Sequence, residues 1–536
     1  MTHRSVACTA QRVIAMVSAL AALAAVASCG GNSSEAGSNE KPVIKVLVQY
    51  DSTNRLPIAK NQWVSTLESK CNCTIQWQIV QQNAWAQQKS AILASGDVPD
   101  VSIRAFNPDD AAKFPYFENL KPYLKQMPNV EAFFKENPSA KRMVSDIQGN
   151  LEVLPAGMPS GGSNQHWMIN KTWLDKLGLS MPTTWNELIQ VLEAFKTQDP
   201  NGNGKNDEIP FDVTALGTDG FRWYTPMLAL GSTGIVTQAQ GGPFQDGIYV
   251  EKGKVKEWLT SNEFKQTLQW YAKLFKAGLI PENALTQDGS KYGSALTGTK
   301  EVATVGLAFA YQPAAFGTHA NEYVAMPVPK ATASMSDKDV VWDASGDYGK
   351  YENYHLAVKK DDAHMSNILK MVDALYSPRM SVEQYYGDIP SLVTEESTNT
   401  YKISDKVYSD PNVFYSLGPC FAGWFPESLK IKGDPNITAR EKAEAAYASA
   451  YGNYKVNVDS MPIWVKLDDT DEKTFDGNNT QILNYAIPLI AKWMNGSSSD
   501  YGQAWQTYVS QVNKLGLQQN VKLWQKWYDK YEQQKV

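Results

Sequence analysis

The sequence predicts an α/β protein with more than one compact unit, and two observations carry that prediction. At 536 residues the chain exceeds the roughly 250 to 300 residues at which a single hydrophobic core stops growing. The segment that begins near residue 41 alternates strand, helix, strand, helix, strand, the order expected of a layer with parallel pairing. PVIKVLVQY (42–50) is alternating and β-branched, as a buried strand should be. A helical stretch over 58–70 follows, then TIQWQIV (74–80) as a second strand. AWAQQKSAILASG (84–96) sets alanines and a leucine at helical spacing and stops on Gly96. DVPDVSI (97–103) is the third strand. Such folds bind ligands outside the carboxyl ends of their strands, which directs attention to the loops after Tyr50 and Ile103.

The same grammar recurs downstream. HWMINKTWLDKLGL (166–179) reads as a strand and a short helix, and MPTTWNELIQVLEAFKTQ (181–198) as a longer helix. Thr184 followed by Glu187 is a capping box. Trp185, Leu188, Leu192 and Phe195 form one apolar stripe, a core face rather than a ligand face. EVATVGLAFA (301–310), EYVAMPVP (322–329) and NYHLAVKK (353–360) read as buried strands, the last followed by a helix over 364–375. From residue 438 onward the chain is mostly helical and rich in tyrosine and tryptophan. The aromatics of its last helix, WQKWYDKYEQ, are expected to pack.

Charge and the amino terminus bound the function. The net charge is −6 and no run of lysine or arginine dominates a segment, so no nucleic-acid partner is expected. Arg4 and Arg12 precede the apolar run VIAMVSALAALAAVA (13–27), too short for a comfortable membrane span and suited to a secretory signal. Val26-Ala27-Ser28-Cys29 resembles the lipobox of bacterial lipoproteins, which implies a signal peptide over 1–28 and diacylglycerol on Cys29. The alternative is an ordinary signal with an incidental cysteine. GGNSSEAGSNEK (30–41) has the composition of a flexible tether. Beyond Cys8 and Cys29 only Cys71, Cys73 and Cys420 remain. Cys71 and Cys73 stand too close in sequence for an unstrained bridge, so a disulfide, if present, is expected between one of them and Cys420.

The densest cluster of chemistry is TQDPNGNGKNDEIP (197–210). Asp199, Asn201 and Asn203 alternate, Gly204 supplies a turn, and Asp207 and Glu208 close the set, as in the first part of a calcium loop. Hard oxygen donors without histidine or cysteine favour calcium over zinc or copper. Pro210 stands where an EF-hand carries its twelfth-position glutamate, so Glu208 must supply the closing carboxylate. The expected role is to fix a helix end rather than to switch. A metal-free polar turn is the competing reading.

Four stretches together resemble the extracellular solute-binding proteins of ABC importers, the large oligosaccharide-binding kind. They are ILASGDVPDV (92–101), MINKTWLDKLGLSMPTTWNEL (168–188), YVAMPVP (323–329) and NYHLAVKKDDAHMSNILKMVDALYSP (353–378), in the family's order. The carboxyl-terminal stretch 495–533 is similar to the last helices of lipoprotein members. The resemblance implies a two-lobed periplasmic-binding-protein-like fold with a hinge and a ligand cleft. It places 41–163 and 348–395 in the first lobe, and 164–347 and 396–536 in the second. Closure of the lobes on a sugar is then read by permease subunits in the membrane. The protein is expected to be a monomer at the extracellular face of the bacterial cell membrane. Alginate-binding relatives carry a stretch similar to 199–208, which implies Asp199, Asn201, Asn203, Asp207, Glu208 and the carbonyl of Lys205 as calcium ligands.

A sugar site needs flat aromatics and convergent polar groups. Strand ends and crossovers nominate Tyr50, Asp51, Arg104, His166, Trp167, Trp223, Tyr311, Trp342 and Trp424. For each aromatic, plain packing is the alternative, and for Asp51 and Arg104, surface ion pairing. The competing function is a calcium-stabilised secreted glycoside hydrolase or lyase, with a cell-surface adhesin as a third. No G-x-S-x-G, H-E-x-x-H or C-x-x-C motif occurs, and the order of the resembling stretches argues for a binder that is not an enzyme.

Overall fold

The computed structural model describes residues 41–50, 58–217, 220–410 and 417–533. Residues 1–40, with the expected signal, Cys29 and all of the expected tether but Lys41, lie outside the described residues, as does Asp51. Eleven strands frame the site: β1 (Val43–Tyr50), β2 (Thr74–Gln81), β3 (Val101–Ile103), β4 (Val153–Gly157), β5 (His166–Asn170), β6 (Ile209–Asp212), β7 (Ile248–Glu251), β8 (Lys254–Glu257), β9 (Val305–Ala310), β10 (Tyr323–Met326) and β11 (Tyr351–Val358).

The first sheet has the order β2-β1-β3-β11-β4. Its amino-terminal half is parallel, as the alternation of strands and helices predicts, with Val43 opposite Thr74 and Val46 opposite Val101. The chain then leaves and returns. β11 enters antiparallel between β3 and β4, with Leu356 opposite both Ile103 and Leu154. The third strand is shorter than predicted because Asp100 is spent elsewhere. Its carboxylate accepts the Lys45 N–H at 2.8 Å and its carbonyl accepts Lys359 N–H, while Pro99 has no N–H to donate.

The second sheet has the order β10-β5-β9-β6, with β5 antiparallel to both neighbours and β6 parallel to β9. β9 begins at Val305 rather than 301 because Thr299 Oγ1 holds the N–H groups of Glu301 and Val302 at 3.2 and 3.1 Å, making a turn. The helix Trp185–Thr197 is capped as predicted on one side only. Thr184 Oγ1 accepts from Glu187 N–H at 3.2 Å, but Glu187 returns its carboxylate to Thr183 N–H at 2.7 Å rather than to Thr184.

These two sheets, the larger of four among the described residues, each have their own large core. Val46, Val48, Ile103, Leu154 and Leu356 pack with Trp63, Phe133 and Tyr376. Tyr401, Ile403, Phe421 and Trp424 join that same core, although the sequence groups 396 onward with the second lobe. The second core joins Trp167, Phe211, Trp270 and Phe309 to Ile482, Ile490, Trp493 and Tyr508 of the carboxyl-terminal helices. Trp527, Tyr528 and Tyr531 of the last helix pack on the β7–β8 hairpin and Trp464, so these aromatics are core, as expected.

The cysteine expectation is corrected. Cys71 and Cys73 form a disulfide with their Cα atoms 5.2 Å apart, while Cys420 is buried and accepts from Arg104 Nη1 at 3.2 Å. The reason is local: Cys71 ends a helix, and Asn72 turns the chain in the left-handed conformation, φ 49°. That turn folds Cys73 back within the usual disulfide range. Among the described residues no helix is long and apolar enough to cross a membrane.

Candidate ligand-binding site

The carboxyl ends of β1 and β3 and the start of β11 meet at one edge of the first sheet. Arg104 follows β3 in the left-handed region, φ 54°, a conformation that costs a non-glycine side chain energy and marks functional positions. Its Nη1 lies 3.4 Å from Gln49 Oε1, its Nε 3.8 Å from Glu352, and its guanidinium 5.8 Å from the centre of the Tyr354 ring. Burial pushes the Glu352 carboxyl up, but the His355 ring at 2.6 Å and the Arg104 charge outweigh it and hold the group below its ordinary value. The result is a charged, hydrogen-bonded cluster at the strand ends.

The second sheet contributes an equivalent edge. His166 opens β5 fully buried, with Nδ1 2.8 Å from the Tyr311 carbonyl and Nε2 3.1 Å from Glu444. Burial pushes the Glu444 carboxyl up, yet bonds from His166, Tyr451 and the Asn164 N–H hold it below the usual range. His166 therefore positions the chain at Tyr311 rather than presenting itself. Tyr311, half-buried, stands directly after β9. Tyr224 lies close enough for burial and Tyr311 together to push its hydroxyl up, and the 49 % exposed Trp223 leans on Tyr224 with ring centres 5.9 Å apart.

A cavity of about 300 Å³ is lined by Glu352, Tyr385 and Tyr408 from the first side and by Asn164, Asn436 and Arg440 from the second. Asn164 Oδ1, Arg440 Nε and, on the side chain bonded to Asn436, Gln312 Oε1 are buried without a hydrogen-bond partner. Leaving such atoms without a hydrogen bond costs about 1–3 kcal/mol each. A second cavity of about 1180 Å³ shares the same segment: Gly349 and Glu352 face the small cavity, Tyr348 and Asn353 the large one.

The sequence-predicted residues divide. Arg104, Tyr311 and Trp223 line neither cavity but adjoin residues tied to them: Arg104 pairs with Glu352, Tyr311 precedes Gln312, which bonds Asn436, and Trp223 follows Arg222. Tyr50 ends β1 but is only 2 % exposed, and His166 supports from behind. Trp167, Trp342 and Trp424 are corrected to core. Trp167 stacks into Phe309 at 4.4 Å, and Trp342 stacks on Tyr447 at 4.9 Å and donates to the Gln165 carbonyl. Trp424 packs on Phe133 and donates to the Tyr376 carbonyl. Each stands within a run buried throughout, 165–170, 340–345 and 420–426, so its side chain has no open face to turn to. Glu352, Tyr385, Tyr408, Asn436, Arg440 and Glu444 were not predicted; each belongs to a segment with no local motif, and long-range pairing alone brings them in.

In the loop after the helix Trp185–Thr197, Asp199 adopts φ 45°, and its carboxylate accepts Gly202, Asn203 and Gly204 N–H groups at 3.0 to 3.1 Å. Asn201 and Asn203 oxygens each accept one backbone N–H and retain a second lone pair. Amide bonds from Asn201 and Asn203 lower the Asp207 carboxyl. Glu208 Oε1 is buried without a partner, and burial followed by the charges of Asp199 and Asp207 pushes its carboxyl up. Among the described residues no three acids, histidines or cysteines stand together as a metal cage. A cation here would draw on amide and carbonyl oxygens together with the carboxylates of the loop, a hard-oxygen donor set suited to calcium.

Residues 55–381 match the family model of the bacterial extracellular solute-binding proteins. An HMO binding ABC-transporter associated solute-binding protein from Bifidobacterium longum infantis superposes with a TM-score of 0.86 and 40% identity, over 92% of this chain and 100% of that one. The fructooligosaccharide ABC transporter substrate-binding protein FusA of Streptococcus pneumoniae is 24% identical over 96% of this chain and 97% of its own length. Lipoprotein LipO of Bacillus subtilis is 28% identical over 50% of this chain and 51% of its own. The match over more than half of the chain, with the fold and the strand-end site described above, makes this protein a member of the bacterial extracellular solute-binding protein family.

Proposed function

We propose that the protein captures an oligosaccharide between the strand ends of its two larger sheets and delivers it to the permease subunits of an ABC importer, acting as a monomer without turning its ligand over. The observation that carries this is the small cavity. Buried donors and acceptors with no partner sit beside tyrosines at the confluence of both sheets, which is what a ligand of flat apolar faces and many hydroxyls requires. Similar proteins with sugars in their names support the ligand class. Of the nine contacts nominated from the sequence, Arg104, Tyr311 and Trp223 are kept in this proposal; Glu352, Asn436 and Arg440 are added from the cavity lining. We further propose a diacylglycerol anchor on Cys29, which would hold the protein at the outer face of the cell membrane. A structural calcium is proposed on Asp199, Asn201, Asn203, the Lys205 carbonyl, Asp207 and Glu208, supported by the orphaned Glu208 oxygen.

The test is a panel of oligosaccharides, with melting temperature and product formation followed in parallel. A ligand-dependent rise in melting temperature without new products is expected. Release of shorter sugars would replace this reading with the hydrolase or lyase.

A further inference from the structure

The large cavity is too big and too differently lined to be the same pocket as the small one. Its volume of about 1180 Å³ exceeds the roughly 300–1,000 Å³ usual for small-molecule sites. It joins residues that follow β3, among them Asp109 and Lys113, to Arg222, Gly241 and Lys466. Within it stands Tyr348, 42 % exposed. The ring lies flat on a backbone cleared for it. A Cβ at Gly241, where φ is +72°, would stand 2.1 Å from Tyr348 Cδ2. One face of the ring is thus held against Gly241 while the side chain remains substantially open to the cavity. Arg222 also lines the cavity, close enough for its charge to act on the Tyr348 hydroxyl, and the exposed Trp223 follows it in the chain. Among the described residues the lining carries eight carboxylates and four basic side chains, an excess of negative charge in a concave site, where fields are focused.

We propose that this cavity extends the ligand cleft and takes the outer units of an uncharged oligosaccharide, with Tyr348 as the stacking platform and the acid-rich wall as a barrier to uronate chains. The proposal rests on the oligosaccharide reading above and adds to it ligand length and charge. Tyr348 stacks a sugar ring on its open face while Gly241 supports the other. The carboxylates accept hydroxyl hydrogen bonds from a neutral chain but repel a chain that carries its own carboxylates, a discrimination built on the disfavoured partner.

The experiment uses a glycan array of neutral oligosaccharides of two to eight units beside oligouronates of the same lengths. Calorimetry follows on the tightest neutral series with wild type, Tyr348→Ala and Tyr348→Phe. The expected result is affinity that rises with length by about tenfold or more, a gain that collapses in Tyr348→Ala and returns in Tyr348→Phe. Oligouronates bind at least about tenfold more weakly than neutral chains, with the gap narrowing as salt screens the wall. Binding that ignores chain length and Tyr348, or uronates bound as tightly as neutral chains, overturns this proposal alone. Silence across every sugar overturns the oligosaccharide reading and this extension with it.

Discussion

Glu208→Gln is predicted to reverse its effect on stability according to whether calcium is present. The substitution keeps the shape of the side chain and removes its charge. Without metal, Glu208 stands near Asp199 and Asp207, with a buried Oε1 that nothing satisfies. Neutralising it relieves repulsion, so in chelator the variant should melt no lower than wild type. With metal, the same carboxylate closes the donor set, and losing it should weaken binding. Calcium at a hundred times its dissociation constant stabilises by about 2.7 kcal/mol. An unfolding entropy of about 2.1 cal/mol/K per residue, over a body of roughly 490 residues, is about 1 kcal/mol/K, so wild type should gain about 3 °C. The variant should gain less than about 1 °C, and the two melting curves exchange order between EGTA and millimolar calcium. Scanning fluorimetry reads this directly, with magnesium as the control cation. No shift of wild type on chelation, or equal shifts in both proteins, would refute the metal assignment. Asp199→Ala is a poorer probe, because its carboxylate also caps three backbone N–H groups.

Three further outcomes are expected. Trp167→Ala empties the centre of the second core, where Trp167 is fully buried against Phe309 and Trp270, and should cost about 3–5 kcal/mol in urea unfolding; a stable variant that had lost only ligand affinity would return Trp167 to the site. Burial pushes the Asp246 carboxyl from 3.8 to about 7, against the bond that it accepts from Asn479. Because the folded value lies above the unfolded one, the stability it contributes is present below pH 4 and lost as pH rises through 7. Asp246→Asn should therefore gain on wild type between pH 4 and 8, and a pH-independent difference would show that the group does not titrate there. Glu352→Gln should weaken binding of the best panel sugar by about tenfold or more, since Arg104 loses its partner within a partly buried cluster; unchanged affinity by calorimetry would remove that cluster from the site.

Local chemistry was well read where it is decided within a few residues. The parallel β1–β2–β3 core follows from alternation and helical spacing, the helix Trp185–Thr197 from its cap and stripe, and the turn geometry of 199–208 from the run of Asx and glycine residues. Errors arose where a neighbour competes for a backbone or side-chain group. Thr299 draws two N–H groups away from the start of β9, and Thr183 takes the carboxylate that a capping box would return to Thr184. The cysteine pairing differs for another reason: separation in sequence says nothing of the left-handed turn at Asn72 that folds Cys73 back onto Cys71.

The class of fold, the family and the elements with strong local signals are legible in the chain, because alternation, capping and motif order are written in neighbouring residues. The chain also supplied the aromatics and acids from which a sugar site can be made. Which of them meet is set by long-range pairing alone. Arg104 reaches Glu352 and Cys420, and His166 reaches Glu444, across hundreds of residues, because β11 returns to the first sheet and the carboxyl-terminal part packs back onto the second. The same long-range pairing turned Trp167 and Trp342 inward and left Trp223 and Tyr348 exposed. A tryptophan's chemistry is the same in either place; the pleat and the turn on which it stands decide whether it fills a core or faces a ligand.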